Sequence, residues 1–521
     1  MSDYFVERGA ASAEDLIAAQ QADGLTRTDP SAVGVDADAI IAFLNDVEAD
    51  GLDLHAFMLH RNGKVVAEGW RWPYRPDRPR NLHSVVKSFT ACAIGLALEE
   101  GLLKLDDKVV SFFPEVIVEP DQGWLAQMTI EDLLTMRVGH AGETSGAEWR
   151  SLNTSWIAEF FKIPIAHEPG TAFMYTSAAS YMLSAILSRA AGVTLHEYLK
   201  PRIFEPMGIE GESWDIGPDG INPGGNGLIA RTADLLKLGV LHAQNGVWEG
   251  RRLLPESWVA AATSAHGEPV KYGYHWWTRP DGTYSAIGKF VQMTTVFPLH
   301  GATLAVTGAI KGSAKLFTHI DWHFPAAFRD QSRGQVRDEI RDHIEDGASA
   351  DARLKARLAD WQSPDAPAPW KEPFERAGAV TDGTRARACA PGQTDRFLMQ
   401  PNGQGVSELQ FEFAGETCVF RLTDARGEHV IAAGLGRWLE GRTDMPGSDL
   451  HHGYQFDNSP VVARACWLDN TRLQMTWIFP ETAFRDTVIC EFSGKTITFT
   501  REVNINGGAL RHEDLTGSLA S

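Results

Sequence analysis

The chain has 521 residues, more than one compact core normally organises, so two folded units are expected. Hydrophobic residues make up 43% and charged residues 22%, the composition of an ordinary globular protein, which argues against a disordered or membrane-spanning chain. A formal net charge of -20 repels phosphate backbones and anionic lipid, so neither nucleic acid nor a membrane surface is an expected partner.

At the N-terminus, Asp3, Glu7, Glu14 and Asp15 stand where a secretory leader needs a basic start and an unbroken apolar run. The five cysteines, Cys92, Cys389, Cys418, Cys466 and Cys490, form no C-x-x-C pair. Reduced thiols and a cytoplasmic location are the expectation. From about residue 37 to 320, amphipathic helices alternate with short apolar runs, which predicts a mixed α and β domain. Leu54–Gly69 reads as two strands around an Asn62-Gly63 turn, so an antiparallel sheet begins early.

The next stretch, Asn81-Leu-His-Ser-Val-Val-Lys-Ser-Phe-Thr90, leads into an apolar run that ends at Gly101. Ser84 is expected at the N-cap or first turn of this helix, with Val85, Phe89, Ile94, Leu96 and Leu98 forming its buried surface. Three residues on, Lys87 shares a face with Ser84. A serine hydroxyl is a weak nucleophile until a base takes its proton, and a lysine serves only if burial or a helix dipole lowers its pKa. The bland alternative is a capping serine beside a solvated lysine. Further on, a turn in Glu168-Pro-Gly-Thr-Ala-Phe-Met-Tyr-Thr-Ser177 delivers Tyr175 and Ser177 ahead of another apolar helix. A tyrosine near a lysine cation can ionise below its usual pKa and relay protons. Its alternative is a core aromatic followed by an N-cap serine. Tyr272, Trp276 and Trp277 are candidates for either the cleft or the core.

Residues 331–361 are charged and helical in pattern, and Ser363–Pro369 is proline-rich. The domains are therefore expected at 1–350 and 371–521, joined by a linker at 351–370. Beyond the linker, Glu408–Phe413, Leu473–Phe479 and Lys495–Thr500 alternate apolar with polar residues as half-buried strands do, predicting a small barrel or sandwich. Several motifs lead nowhere. No G-x-S-x-G occurs. Gly494-Lys495-Thr496 lacks the upstream glycine of a phosphate cradle. His451-His452 and Asp321-Trp322-His323 are read as lacking partners at ligand spacing, so no metal is expected.

The order and spacing of these segments resemble those of a known family: the class C serine β-lactamases, the DD-peptidases, and the related esterases and nylon-oligomer hydrolases. The likeness covers roughly Val33 to Ile310. It rests on Ser84-x-x-Lys87, on Tyr175-x-Ser177 and, as the third motif, on Ala286-Ile287-Gly288 in the segment Tyr284–Pro298. Gly101–Asp107, Thr129–Thr135, Gly224–Leu235 and Tyr272–Trp277 support it.

The resemblance implies an α/β (α+β) fold in which an antiparallel sheet is flanked by helices and joined by a helical subdomain; the smaller, mostly-β C-terminal domain read from the alternating runs follows it. It implies an acyl-enzyme on Ser84, proton transfer by Lys87 and Tyr175, and an oxyanion hole from the backbone N–H groups of Ser84 and Lys289. Substrate would be held by Ser177, Ala286, Ile287 and Gly288. Three departures matter. Ala286 replaces the lysine or histidine that helps to hold a substrate carboxylate, which makes a β-lactam or D-Ala-D-Ala substrate a poorer expectation. Ser177 replaces the more frequent asparagine, and Phe290-Val291 replace glycines of the nylon-hydrolase branch, making the cleft wall bulkier. The side chain of Lys289 is expected at the surface.

The expected function is hydrolysis of a small ester or amide without metal or organic cofactor. The alternative is a ligand-binding or regulatory protein that keeps the fold without the chemistry. The role of the C-terminal domain, including a part in self-association into a homo-oligomer, stays open.

Overall fold

The computed structural model describes residues 13–116, 123–143, 146–328, 339–363 and 394–520. The chain divides into two compact units whose boundary falls between Ser363 and Pro364. The N-terminal unit is built on a six-stranded antiparallel sheet of Leu54–Arg61 (β1), Lys64–Trp70 (β2), Trp277–Thr278 (β3), Tyr284–Gly288 (β4), Gln292–Phe297 (β5) and Ala302–Gly308 (β6). Their order across the sheet is β2-β1-β6-β5-β4-β3. The hairpin of β1 and β2 turns as expected, with Asn62 and Gly63 both at positive φ and Arg61 paired with Lys64. Every residue of β1 is buried, because helices cover both faces of the sheet at this strand.

One face carries three helices: Ala37–Ala49 (α1), Ala314–Ala327 and Glu339–Trp361. The Asp36 side chain caps α1 by accepting from Asp38 N at 3.0 Å, and Ile40, Phe43, Leu44 and Val47 make a buried stripe at helical spacing. These residues share one core with Leu316, Ile320 and Phe324 and with Leu354, Leu358 and Trp361. The helix Glu339–Trp361 follows the helical pattern expected up to Trp361, and it runs through the first half of 351–370, the stretch expected to be the linker. Apolar residues at i, i+4 and i+7 hold it to the sheet despite its charged outer surface. The proline-rich 364–370 lies outside the described residues, as does 331–338.

On the other face, Thr232–Ala243 crosses β5 and β6. Gly239 permits the contact, since a Cβ there would stand 2.4 Å from Thr294 Oγ1. Val86–Glu99 (α2) and Ser177–Ala191 (α3) pack against each other to form the helical layer of the site. The terminator of α2 is as expected, with Gly101 left-handed at φ 72°. Val85, Phe89 and Ile94 are fully buried, whereas Leu96 and Leu98, near the end of the helix, are only partly so. Among the described residues no single helix is long and apolar enough to cross a membrane.

The C-terminal unit is an antiparallel meander of Thr394–Met399 (β7), Glu408–Ala414 (β8), Thr417–Asp424 (β9), Gly427–Leu435 (β10), Leu439–Thr443 (β11), Ser459–Trp467 (β12), Arg472–Ile478 (β13), Arg485–Ser493 (β14), Thr496–Val503 (β15) and Leu515–Leu519 (β16). The sheet closes into a barrel where β10 pairs in parallel with β12, Gly434 opposite Arg464, so that neither of these strands is left with a free edge there. The three segments expected to be strands are β8, β13 and β15. Gly494-Lys495 is the hairpin turn between β14 and β15, with Gly494 at φ 62°. His451 is a packing histidine: it is fully buried and bonds Asp486 through Nε2 at 2.8 Å, and Asp486 also pairs with buried Arg501.

Candidate active site

Ser84 lies in a single 3₁₀ turn, His83–Val85, immediately before α2. It is not the helix cap: its hydroxyl makes no capping bond and accepts instead from Lys87 Nζ at 3.0 Å. The turn is anchored at each step. Leu82 N donates to Leu228 O at 3.0 Å, and His83, at φ 49°, donates its N–H to Asn81 Oδ1 at 2.9 Å. Held this way, the Ser84 side chain stays partly exposed while its neighbours are buried.

Lys87 is 1% exposed. Its Nζ donates to Ser84 Oγ, to Ser177 Oγ at 3.1 Å and to Gly225 O at 2.9 Å. Burial pulls its pKa down to about 7, with the charge of Glu143 opposing the shift and that of Arg150 adding to it. The lysine is thus divided between ammonium and neutral amine near neutral pH. Ser177 is the first residue of α3, and the cap of that helix is Thr176, whose hydroxyl accepts from Ala178 N at 3.3 Å. That leaves the Ser177 hydroxyl for Lys87.

Tyr175 hydrogen-bonds Ser84 through its hydroxyl, and its ring centroid lies 5.1 Å from Lys87 Nζ. The expectation of an acidified phenol fails. Burial pushes Tyr175 up to about 12, outweighing the hydrogen bond to Ser84, and Glu143 pushes the same way. The ring is sandwiched by apolar surface: Trp277 stacks on it at 5.6 Å and Tyr272 meets it edge-on at 6.2 Å. This settles the aromatic run. Trp277 is partly exposed beside Tyr175, Tyr272 is a buried support, and Trp276 is a core residue against His242 and Tyr284.

The third motif lies on β4. Gly288 backs directly onto the Ser84 turn, where a Cβ would stand 2.3 Å from Leu82 O and 3.2 Å from Ser84 N. Only glycine allows this approach. Lys289 follows in the turn between β4 and β5 rather than on the strand, and its side chain is exposed. Ala286 is buried two residues before Gly288, on the same face by strand alternation. Ile287 points to the opposite face and packs against the core beneath α1, so of the residues expected to hold substrate it alone turns its side chain away. Phe290 and Val291 complete the turn at φ 59° and 66°, and the Phe290 ring meets His83 edge-on at 5.5 Å.

Sequence reasoning missed three groups. His275 is buried with Nε2 3.1 Å from Ser180 Oγ, and burial next to Lys87 takes its pKa down to about 3, so it stays neutral. Glu143 and Arg150 act on Lys87 by charge alone and belong to no motif. Only the aromatic setting of His275 in Tyr272–Trp277 offered any signal.

A family model, Beta-lactamase, matches residues 55–319, about half of the chain. Among curated proteins, lovastatin esterase of Penicillium rubens is 29% identical over 168 residues, covering 28% of this chain and 42% of the esterase, less than two thirds of that relative's length. The 6-aminohexanoate-dimer hydrolase of Paenarthrobacter ureafaciens is 24% identical over 298 residues, covering 51% of this chain and 76% of the relative. Among solved structures, a penicillin-binding protein homologue from Caulobacter crescentus aligns with a TM-score of 0.47 at 20% identity, over 58% of this chain and 98% of that one. With the family match spanning the sheet, both site helices and the third motif, the chain belongs to the beta-lactamase family, within the serine-hydrolase superfamily that includes the penicillin-binding proteins.

Proposed function

We propose that the protein hydrolyses a small carboxylic ester or amide through an acyl-enzyme on Ser84. The observation that carries this reading is the 3.0 Å contact between Ser84 Oγ and a fully buried lysine held at about 7. In this reading neutral Lys87 takes the Ser84 proton as Oγ attacks the carbonyl carbon. The oxyanion is received by the N–H groups of Ser84 and Lys289, a reading supported by the close approach of Gly288, the residue before Lys289, to the Ser84 N–H. The leaving group departs with a proton delivered through the Tyr175 hydroxyl, which remains protonated at working pH and is refilled from Lys87. Water then releases the acid by the same groups in reverse order.

The substrate class rests on the two relatives, one named for an ester and one for an amide dimer. Ala286 offers no cation to a substrate carboxylate, and the partly exposed Trp277 offers an apolar platform next to Tyr175. Both favour an uncharged acyl group over a β-lactam.

The test is covalent labelling. A fluorophosphonate probe should add to Ser84 alone, p-nitrophenyl acetate or butyrate should be turned over, and nitrocefin should be cleaved slowly or not at all. Ser84→Ala should abolish labelling and turnover together. A wild-type protein that neither labels nor turns over these esters would favour a ligand-binding role for the same cleft.

A further inference from the structure

Two helices on the far side of the sheet bring together ligands that no motif announced. Label Ala314–Ala327 α4. Within it, His319 and His323 stand four residues apart and so share one face. That face meets α1, where Asp46 and the C-cap residue Asp50 stand at the same spacing. His323 Nε2 lies 2.7 Å from Asp46 Oδ2, and His319 Nε2 lies 2.9 Å from Asp50 Oδ2. The ligand atoms of Asp46, His319 and His323 all fall within 4.8 Å of one another. The triplet Asp321-Trp322-His323 does not announce this, because the partner of His323 is one helical turn before it and the Asp46 carboxylate is 277 residues away.

We infer that His319, His323 and Asp46, with Asp50 beside them, form a binding site for a divalent transition-metal ion of the zinc type. Two imidazoles and a carboxylate are a borderline donor set that suits Zn²⁺, Co²⁺ or Ni²⁺ and not Ca²⁺ or Mg²⁺. Tetrahedral bonds of about 2.1 Å place neighbouring ligand atoms about 3.4 Å apart, so His323 and Asp46, now 2.7 Å apart, must open by under an ångström while the wider separations, all within 4.8 Å, close. The aspartates supply that movement, being half-exposed, while the two histidines are largely buried and preset. On binding, the hydrogen that each Nε2 now donates to its aspartate is replaced by the metal, the imidazole carries its proton on Nδ1, and any surplus proton leaves to solvent. Lys315, 3.3 Å from Asp50 Oδ1, competes for that carboxylate, which makes Asp46 the stronger oxygen ligand.

The ion would brace α1 against α4. It would not take part in ester or amide hydrolysis, because Ile287 points to this side of the sheet while Gly288 backs onto Ser84 on the other. The inference is therefore independent of the proposed reaction.

The experiment titrates the chelator-treated full chain with ZnCl₂ by calorimetry and with CoCl₂ by visible absorption. One equivalent is expected to bind with a Kd of about 10 µM or tighter. A hundredfold excess over Kd is expected to raise the unfolding midpoint by about 3 °C. His319→Gln should weaken binding at least about tenfold, and His319→Gln with His323→Gln should abolish it, with an unchanged circular dichroism spectrum for the metal-free variants. Since the chain holds 17 histidines, the double variant is decisive. Stoichiometric binding that survives in it would overturn the assignment, as would the absence of one-to-one binding to the unaltered chain.

Discussion

At the scale of single residues, the pH behaviour of the site follows from Lys87. Its pKa sits at about 7, and the ammonium form has no lone pair for the Ser84 proton. Ester turnover, measured as kcat/KM, should therefore rise about tenfold per pH unit below 7 and level off above it. Tyr175, at about 12, adds no falling limb up to about pH 10. The two remote charges give opposite signs. Glu143 favours the ammonium, so Glu143→Gln should move the acid limb to lower pH; Arg150 disfavours it, so Arg150→Gln should move the limb up. The Glu143 displacement should shrink in high salt, because Glu143 is exposed. A pH–rate profile in which the two variants shift the same way would remove Lys87 as the titrating base. The lysine and serine were legible because three-residue spacing on an apolar helix already fixes their contact. The protonation of Tyr175 was not, since Tyr272 and Trp277, which bury it, arrive from about a hundred residues downstream.

At the scale of elements, the turn between β4 and β5 is the informative one. Two successive residues with side chains, one of them β-branched, occupy left-handed backbone there, a conformation that costs about 1–3 kcal/mol at each position. Something must hold it, and that is Gln292 at the start of β5. Its Nε2 donates to Gly308 O at 2.9 Å and lies 3.4 Å from both Lys289 O and Phe290 O. Its Oε1 accepts from buried Arg80 Nε at 2.9 Å, and Arg80 belongs to the two-residue strand that leads into the Ser84 turn. One amide thus ties the residue before the strained turn to the segment before the nucleophile. Gln292→Glu keeps the size and the acceptor for Arg80 but loses the donor to the turn. The expected result is a fall in kcat of about tenfold or more with a smaller change in KM, because a displaced Lys289 N–H is felt in the transition state rather than in substrate binding. An unchanged kcat would show that the turn holds its own shape. The position of the third motif was legible from the sequence. Its clamp was not, because a glutamine between apolar strand residues carries no pattern until its partners are in space.

At the scale of the whole molecule, the two-part plan and the β-rich character of the second part were written in the sequence, as the alternating runs in β8, β13 and β15 show. The end of the first part was harder to read. The run of arginines, lysines and alanines up to Trp361 reads as a charged helix, and from residue 351 on it offers only three large apolar side chains to a core. Those three residues decide the matter: Leu354, Leu358 and Trp361 are 2%, 9% and 1% exposed. Trp361 also donates from its indole to Glu48 at 2.8 Å, accepts from Trp72 N at 2.9 Å through its carbonyl, and receives the Arg71 guanidinium over its ring at 4.8 Å. Burying three such side chains contributes about 5–8 kcal/mol as an upper bound, comparable to the whole net stability of a typical domain at about 5–15 kcal/mol. A chain ending at residue 350 should accordingly be unfolded or aggregated, while one ending at Ser363 should keep a cooperative thermal transition. Circular dichroism and size-exclusion chromatography of the two chains distinguish the outcomes. Equal melting of both would mean that the helix rests on the core without supporting it.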